Sequence, residues 1–566
     1  MERLQTDLLV VGGGVGGTCA AIQAARRGVQ TVLVSAGPWL GGMLTAAGVA
    51  VPDGNELTPW QTGLWGAYLR ALAQREPTGL DHSWVSLFSY QPQTGAAIFA
   101  DWVKALPSLG WIAGQEPVGV AKEGDRLTAV QFPDYCIQAK LILDGTELGD
   151  LLALGDVPHR WGWELQGEFN EPSAPVEFND LTQRYPVQSP TWVALLQDYG
   201  VGVKAPQIEA PDGDFTGAWA DYGGEHFLNY GRLPGDQFML NWPIAGNDYA
   251  VGLDRIIQGE RGEFEQEAQE YSLSFARYIQ RQLGDRYGLA AHAFPTGPLA
   301  LQAYYRESRR LQGQATITEL DILPQGTVAP LPIQGGQVGA IALGNYANDH
   351  HYPGVDFPLK PKSIQWGGRW TGTPFTIPYG ALVPRDTLGL MVCEKNISVS
   401  HIANGATRLQ PVVMGIGQAA GMAAALCIEQ GCEPAELEVR SLQNALLTDA
   451  IAPGAIVPLF NLPPNHPQWL HWQQYYLDHP EAYPTDGLAP LTGNFSSEIE
   501  TGAKITTILT TSEPHCYHIH HQGQPWQVIT PRPEVAAKLP DCGGKSVTLW
   551  GRFNPSGQWI VVEKIL

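Results

Sequence analysis

The stretch DLLVVGGGVGGTCAAIQAARRGVQTVLVSAG, residues 7–37, decides the fold. DLLVVGGG is an apolar run of strand length, TCAAIQAARRG an alanine-rich helix ended by Gly28, and QTVLVS a second strand. A strand, a glycine turn, a helix and a further strand in so short a span open a dinucleotide-binding α/β fold. Gly12, Gly14 and Gly17 form GxGxxG. The first glycine permits the tight turn, the second lets the backbone approach a pyrophosphate, and the third lets helix and strand pack closely. The helix then offers free N–H groups to the anion. The acid that normally closes the second strand and binds a ribose is replaced by Ser35, whose hydroxyl makes a weaker, uncharged contact.

Outward from this unit, 566 residues are enough for several domains with a large interior. Sixty-five glycines and 44 prolines, spread along the chain, indicate many tight turns rather than disorder. A formal charge of −22 disfavours a phosphate backbone or an anionic membrane as partner, so neither nucleic acid nor membrane insertion is expected. The seven cysteines contain no CxxC pair and read as reduced thiols. No run of eighteen apolar residues and no charged, then apolar, leader is visible, which gives a cytoplasmic protein as the expectation.

The segment after the second strand, GPWLGGMLTAAGV at 37–49, resembles flavoproteins in which a glycine pair, here Gly41 and Gly42 followed by Met43, lies along the flavin. LILDGTELGDLLALGDVPHRWGWE at 141–164 is similar to the IDATGDGDLA segment that closes the first half of such a domain. Asp144, Thr146, Gly149 and Asp150 match it, while Gly145 and Glu147 depart. ISVSHIANGATRLQPVVMGIGQAAGMAAAL at 397–426 resembles the segment that returns to the FAD domain. Together with YYRESRRLQG at 304–313 and GNYANDHHYPG at 344–354, these matches identify a resemblance to the FAD-dependent oxidoreductases with a glutathione-reductase-like FAD domain, over about residues 1–450. The resemblance implies FAD as cofactor, and it places an adenine contact at Val118.

In the late segment Gly415, Gly417 and Ala420 fit GxGxxA, but no second strand follows, which argues against a second nucleotide site. The better reading is a helix beginning near Gln418, with Gly417 and Ala419 beside it, its positive end facing the flavin edge where negative charge gathers on reduction. Arg408 is expected near that edge, near the cofactor phosphates, or in solvent.

The expected architecture is α/β: a discontinuous Rossmann-like FAD-binding domain, an inserted mixed α+β substrate domain and a small C-terminal β-barrel. Its first FAD part is 1–158, the substrate domain 159–380, the second FAD part 381–450, a helical arm 451–494 and the barrel 495–566. The aromatic-rich run from Trp161 to Tyr249 serves either substrate binding or simply the core of a mixed sheet.

Candidates for chemistry are Asp349 and His351, which match an aspartate and a histidine of the resembled family, and His401, which precedes the flavin-facing helix. Histidine can exchange a proton as hydride leaves a carbon bearing O–H or N–H. Sequence does not choose between the two histidines, and each has a structural alternative. Arg306, Arg309 and Arg310 either clamp an anion or join Glu307 in a surface network; a helical reading puts Arg306 and Arg310 on one face. HCYHIHH at 515–521 has no recognised metal spacing, and no metal is assigned.

The expected activity is hydride transfer between a small organic substrate and flavin N5, with an external electron acceptor or donor. Two alternatives are a flavin-dependent reductase or desaturase of an unsaturated, isoprenoid-like substrate, and a FAD-binding scaffold without catalysis.

Overall fold

Leu8–Val11 is an unbroken run of buried apolar residues, the pattern of a strand flanked on both sides and covered on both faces. In the computed structural model, which describes residues 1–492 and 502–566, it is the second half of β1 (Glu2–Val11). The helix α1 (Val15–Arg26) follows, and the sheet continues with β2 (Thr31–Ser35), β3 (Leu109–Ala113), β4 (Gly119–Glu123), β5 (Arg126–Gln131) and β6 (Tyr135–Asp144). β1 pairs in parallel with β2 on one side and β6 on the other, and β2 pairs in parallel with β3. β4 and β5 form the expected meander against the first half of β6. The other half of that edge, Ile142–Asp144, is paired in parallel by Leu390–Val392. The chain therefore leaves this Rossmann-like sheet and returns to finish it.

α1 and the late helix Gln410–Gln430 cross at backbone distance because small residues face each other. A Cβ on Gly417 would lie 2.2 Å from the Gly16 carbonyl oxygen, and one on Gly421 2.2 Å from that of Ala20. The late helix is long and apolar enough to cross a membrane by those criteria, yet the span tested is 89 % buried within the fold.

Between the halves of the sheet lies an antiparallel four-stranded sheet in the order Tyr287–Leu289, Ala194–Asp198, Gln237–Leu240, Arg232–Leu233, packed on the helix Arg261–Leu283. Phe215, Phe227, Trp242 and Phe275 form part of its core, so much of the aromatic-rich run fills an interior.

At the carboxyl end six strands from Ala503 to Ile565 form one curved sheet around a small core, with a single parallel pair. Among the described residues no ladder joins its end strands, Ala503–Ile508 and Thr510–Glu513, so a half-barrel stands where a closed barrel was expected. All four residues of Thr510–Glu513 are exposed, a short polar edge that discourages further pairing. The boundary expected at 494/495 lies outside the described residues. Within HCYHIHH, Tyr517 and Ile519 point inward, which turns Cys516, His518 and His520 to the outer face.

Candidate functional site

The glycine turn has the shape its residues dictate. Gly12 sits at φ +111°, and a Cβ there would lie 2.0 Å from the Gly145 carbonyl oxygen. A Cβ on Gly17 would lie 2.1 Å from the oxygen of Gly12, so the turn closes only with glycine at both positions. Gly41 and Gly42, both at positive φ, and Met43 form a buried turn against this loop, with Gly42 next to the Gly14 backbone. The sequence elements 12–17 and 41–43 are thus brought together.

Five predicted cofactor contacts have other settings in the folded chain. Ser35 Oγ accepts from Trp111 Nε1 at 2.9 Å and donates to the Gly37 carbonyl at 2.9 Å, so its hydroxyl is already engaged. Val118 is exposed on the rim, its N–H donated to the Gln131 carbonyl. Gln418 does not start a helix: the late helix begins eight residues earlier, at Gln410, and Gln418 lies inside it. Its amide instead accepts from Leu64 N at 2.9 Å and donates to the Ala452 carbonyl at 2.7 Å. Gly417 faces α1, and Ala419 is buried within the helix, so the glycine-rich pattern there serves helix packing. The helix end itself has no side-chain cap and carries Pro411 in its first turn.

Near that end lies a buried polar cluster. His351 sits between two carboxylates, with Nδ1 2.5 Å from Asp248 and Nε2 2.8 Å from Asp349. Ionised carboxylates only accept, so both ring nitrogens donate. Arg306 Nη2 lies 3.1 Å from Asp248, and Arg408 Nη2 lies 3.2 Å from Asp349. Burial works to raise both aspartates, but the cationic partners outweigh it and hold both below the usual carboxylate range. Asp349 alone in this group opens outward, its side chain 41 % exposed against 9 % for His351 and 1 % for Arg408.

His401 is fully buried, 3.0 Å from Glu307 through Nδ1 and 2.5 Å from the Tyr352 hydroxyl through Nε2. Burial and the charge of His401 push His350 down to about 3, so it is neutral, and its Nε2 must donate to the Ile402 carbonyl. Its Nδ1 therefore accepts from Tyr352, whose oxygen accepts from His401. Neither His351 nor His401 has a free nitrogen in this arrangement.

Arg309 stands apart from these groups. It stacks on Trp161 and bonds the Leu148 carbonyl and Asp150. The segment around it is extended rather than helical; Arg310 is buried on Glu164 and Glu307, an interior network in place of a surface one.

Sequence reasoning missed Asp53. It lines a cavity of about 220 Å³ together with Glu56, Tyr346 and Arg369. Burial, reinforced by Glu56 and Asp349, pushes its carboxyl up to about 8. Its only local signal was VPDGN, which reads as a turn. Asp248 was missed as well, because it meets His351 across 103 residues of chain.

For a bound dinucleotide the two ends of the site differ. Where the late helix begins, Arg408 Nε, Gln410 Oε1 and both amide atoms of Asn348 are buried without partners, which fits a polar ring. At the glycine turn, the Gly16 N–H already donates to Glu394 Oε2 at 2.7 Å.

A glycine turn closing on a second glycine pair, within a parallel sheet completed by a late strand and helix, defines a dinucleotide-binding α/β protein. The FAD dependent oxidoreductase pattern matches residues 7–446, and the chain belongs to that family; its cofactor is FAD. No curated protein matches the chain. Among solved structures it is similar to the flavin-dependent brominase Bmp2, at 10 % identity over 78 % of this chain and 82 % of that one, with a TM-score of 0.35. A geranylgeranyl bacteriochlorophyll reductase-like protein from Thermoplasma acidophilum gives 11 %, 79 %, 84 % and 0.30. The p-nitrophenol 4-monooxygenase PnpA from Pseudomonas putida DLL-E4 gives 11 %, 56 %, 70 % and 0.28.

Proposed function

We propose that this oxidoreductase moves a hydride between a small organic substrate and FAD, with the substrate held between Asp53 and Asp349. FAD, when bound, supplies the two-electron acceptor or donor. The glycines of the first turn and the α1 N-terminus would hold its phosphates, Gly41 to Met43 would flank the ring, and the uncapped end at Gln410 would face the ring's negative edge. The late strand beside β6 supports a glutathione-reductase-like domain formed by 1–158 and 381–450 around a substrate domain at 159–380. The arm at 451–494 and the half-barrel beyond it serve packing in this reading.

The observation that carries the proposal is the contrast between two carboxyls near enough for the charge of Asp349 to raise Asp53. Asp349, held ionised by His351 and Arg408, fixes charge and orientation. Asp53, pushed up to about 8, keeps a proton at neutral pH and gives it up above that. It takes the O–H or N–H proton that a substrate sheds as its hydride leaves, and returns one in the reverse direction. His351 acts by positioning Asp349.

The cavity beside Asp53, about 220 Å³, admits a small substrate. All seven cysteines are free, which fits a reducing, cytoplasmic compartment. The test is anaerobic bleaching of the bound flavin by amino acids, hydroxy acids and polyenes, followed by reoxidation with candidate acceptors. Bleaching by one class identifies the donor, and no bleaching by any donor counts against the dehydrogenase direction.

A further inference from the structure

Glu394 follows the returning strand Leu390–Val392 and is completely buried. Its Oε2 accepts from Gly16 N in the first turn of α1, and a Cβ on Gly14 would lie 2.5 Å from the same oxygen. A carboxylate thus occupies the helix terminus at which a phosphate would be bound. Its other oxygen, Oε1, has no hydrogen-bond partner, and the nearest cation, Lys395 Nζ, is 3.8 Å away. That lysine is itself drawn 2.5 Å from Glu147, one of the two departures from the resembled IDATGDGDLA segment. The chain therefore supplies an anion of its own at this corner and leaves it half-satisfied, whereas the ring end is lined with unpaired polar atoms.

We propose that Glu394 is a built-in stand-in for the cofactor pyrophosphate, a carboxylate that must release Gly16 before FAD seats at the α1 N-terminus. This rests on the flavin reading and adds a step to it. The buried carboxylate and a diphosphate cannot both stay ionised side by side without water between them, so FAD uptake neutralises Glu394 with a proton. The surroundings favour that. Burial, with Glu147 adding to it, has already pushed the carboxyl up to about 7 against the opposing pull of Lys395. The other groups facing it are the Cys19 thiol on α1 and the Cys393 thiol just after the returning strand, both pushed far up by burial and therefore neutral, with Asp144 behind Cys393.

The sign follows from linkage. The FAD-bound chain holds one more proton than the free chain wherever free Glu394 is ionised, so FAD affinity falls as pH rises above about 7. Flavin fluorescence titration of the flavin-depleted full chain between pH 6 and 9 is the experiment. The expected result is a Kd that weakens by up to about tenfold per pH unit above neutrality. For E394Q the expected Kd is flat with pH and at least about tenfold tighter than wild type near pH 8.5. Calorimetry of the wild-type chain in two buffers of different ionisation enthalpy needs no variant, and should show uptake of about one proton per FAD at pH 8. FAD bound with a flat profile by the wild-type chain, and no proton uptake, overturns the stand-in alone. A failure of both wild type and a folded E394Q to bind FAD at any pH overturns the flavin reading with it.

Discussion

Asp53→Asn removes the proton carrier without changing side-chain size. The variant is expected to keep FAD and lose about 10²–10⁴-fold in kcat for substrate oxidation, measured as the rate of anaerobic flavin bleaching. In the unaltered chain the oxidation rate rises with pH through about 8, as the buried carboxyl becomes a base, and the reverse reaction falls over the same range. That limb should vanish in the variant. Asp248→Asn is a different case, because it leaves Arg306 and His351 facing one neutral group at a fully buried site. A loss of about 3–5 kcal/mol in unfolding free energy is expected there, read from denaturant melts. Sequence pointed to Asp349, His351 and Arg408, which do meet, but gave no sign of Asp53 or Asp248. Local pattern reports periodicity and turn chemistry, whereas a charge pair formed across 103 residues leaves no mark on either segment.

At the scale of elements, the reading of residues 7–37 as strand, helix and strand is reproduced in β1, α1 and β2. The late helix begins eight residues before its expected start near Gln418, and the reason is specific. GIGQAAG, expected to open a flavin-facing helix, lies inside that helix, and its small residues answer to packing against Gly16 and Ala20. Close approach to a cofactor and close packing of two helices both need glycine, so composition cannot separate them. Gly421→Val tests the packing reading. Its side chain has no space beside the Ala20 carbonyl, and overpacking of about 1–3 kcal/mol is expected, visible for a chain of this length as a melting temperature lower by about 1–3 °C. An unchanged melting temperature would place the two helices farther apart than described.

For the whole molecule, several buried carboxyls titrate together. Burial pushes Asp53 to about 8, Asp144, Glu171 and Glu394 to about 7, and Asp81 to about 6. The folded chain thus keeps protons that the unfolded chain has shed above its ordinary carboxylate range. Their contribution is fully present below about pH 4 and is lost as pH rises through 6 to 8. Asp248, Asp349 and Glu307 are lowered by their cationic neighbours, against burial, and oppose this on the acid side: their contribution is lost as pH falls below about 4. Thermal melts of the flavin-depleted chain should therefore peak in mildly acidic buffer and decline toward pH 8. A maximum above pH 8 would contradict the burial of these groups.

The shared edge of β6 also governs how the protein is made. Ile142–Asp144 emerges from the ribosome long before its partner Leu390–Val392, so the nascent chain carries a half-paired strand through the synthesis of everything between. Until that partner arrives the bare edge is open to pairing with other chains, and a product terminated early keeps it exposed.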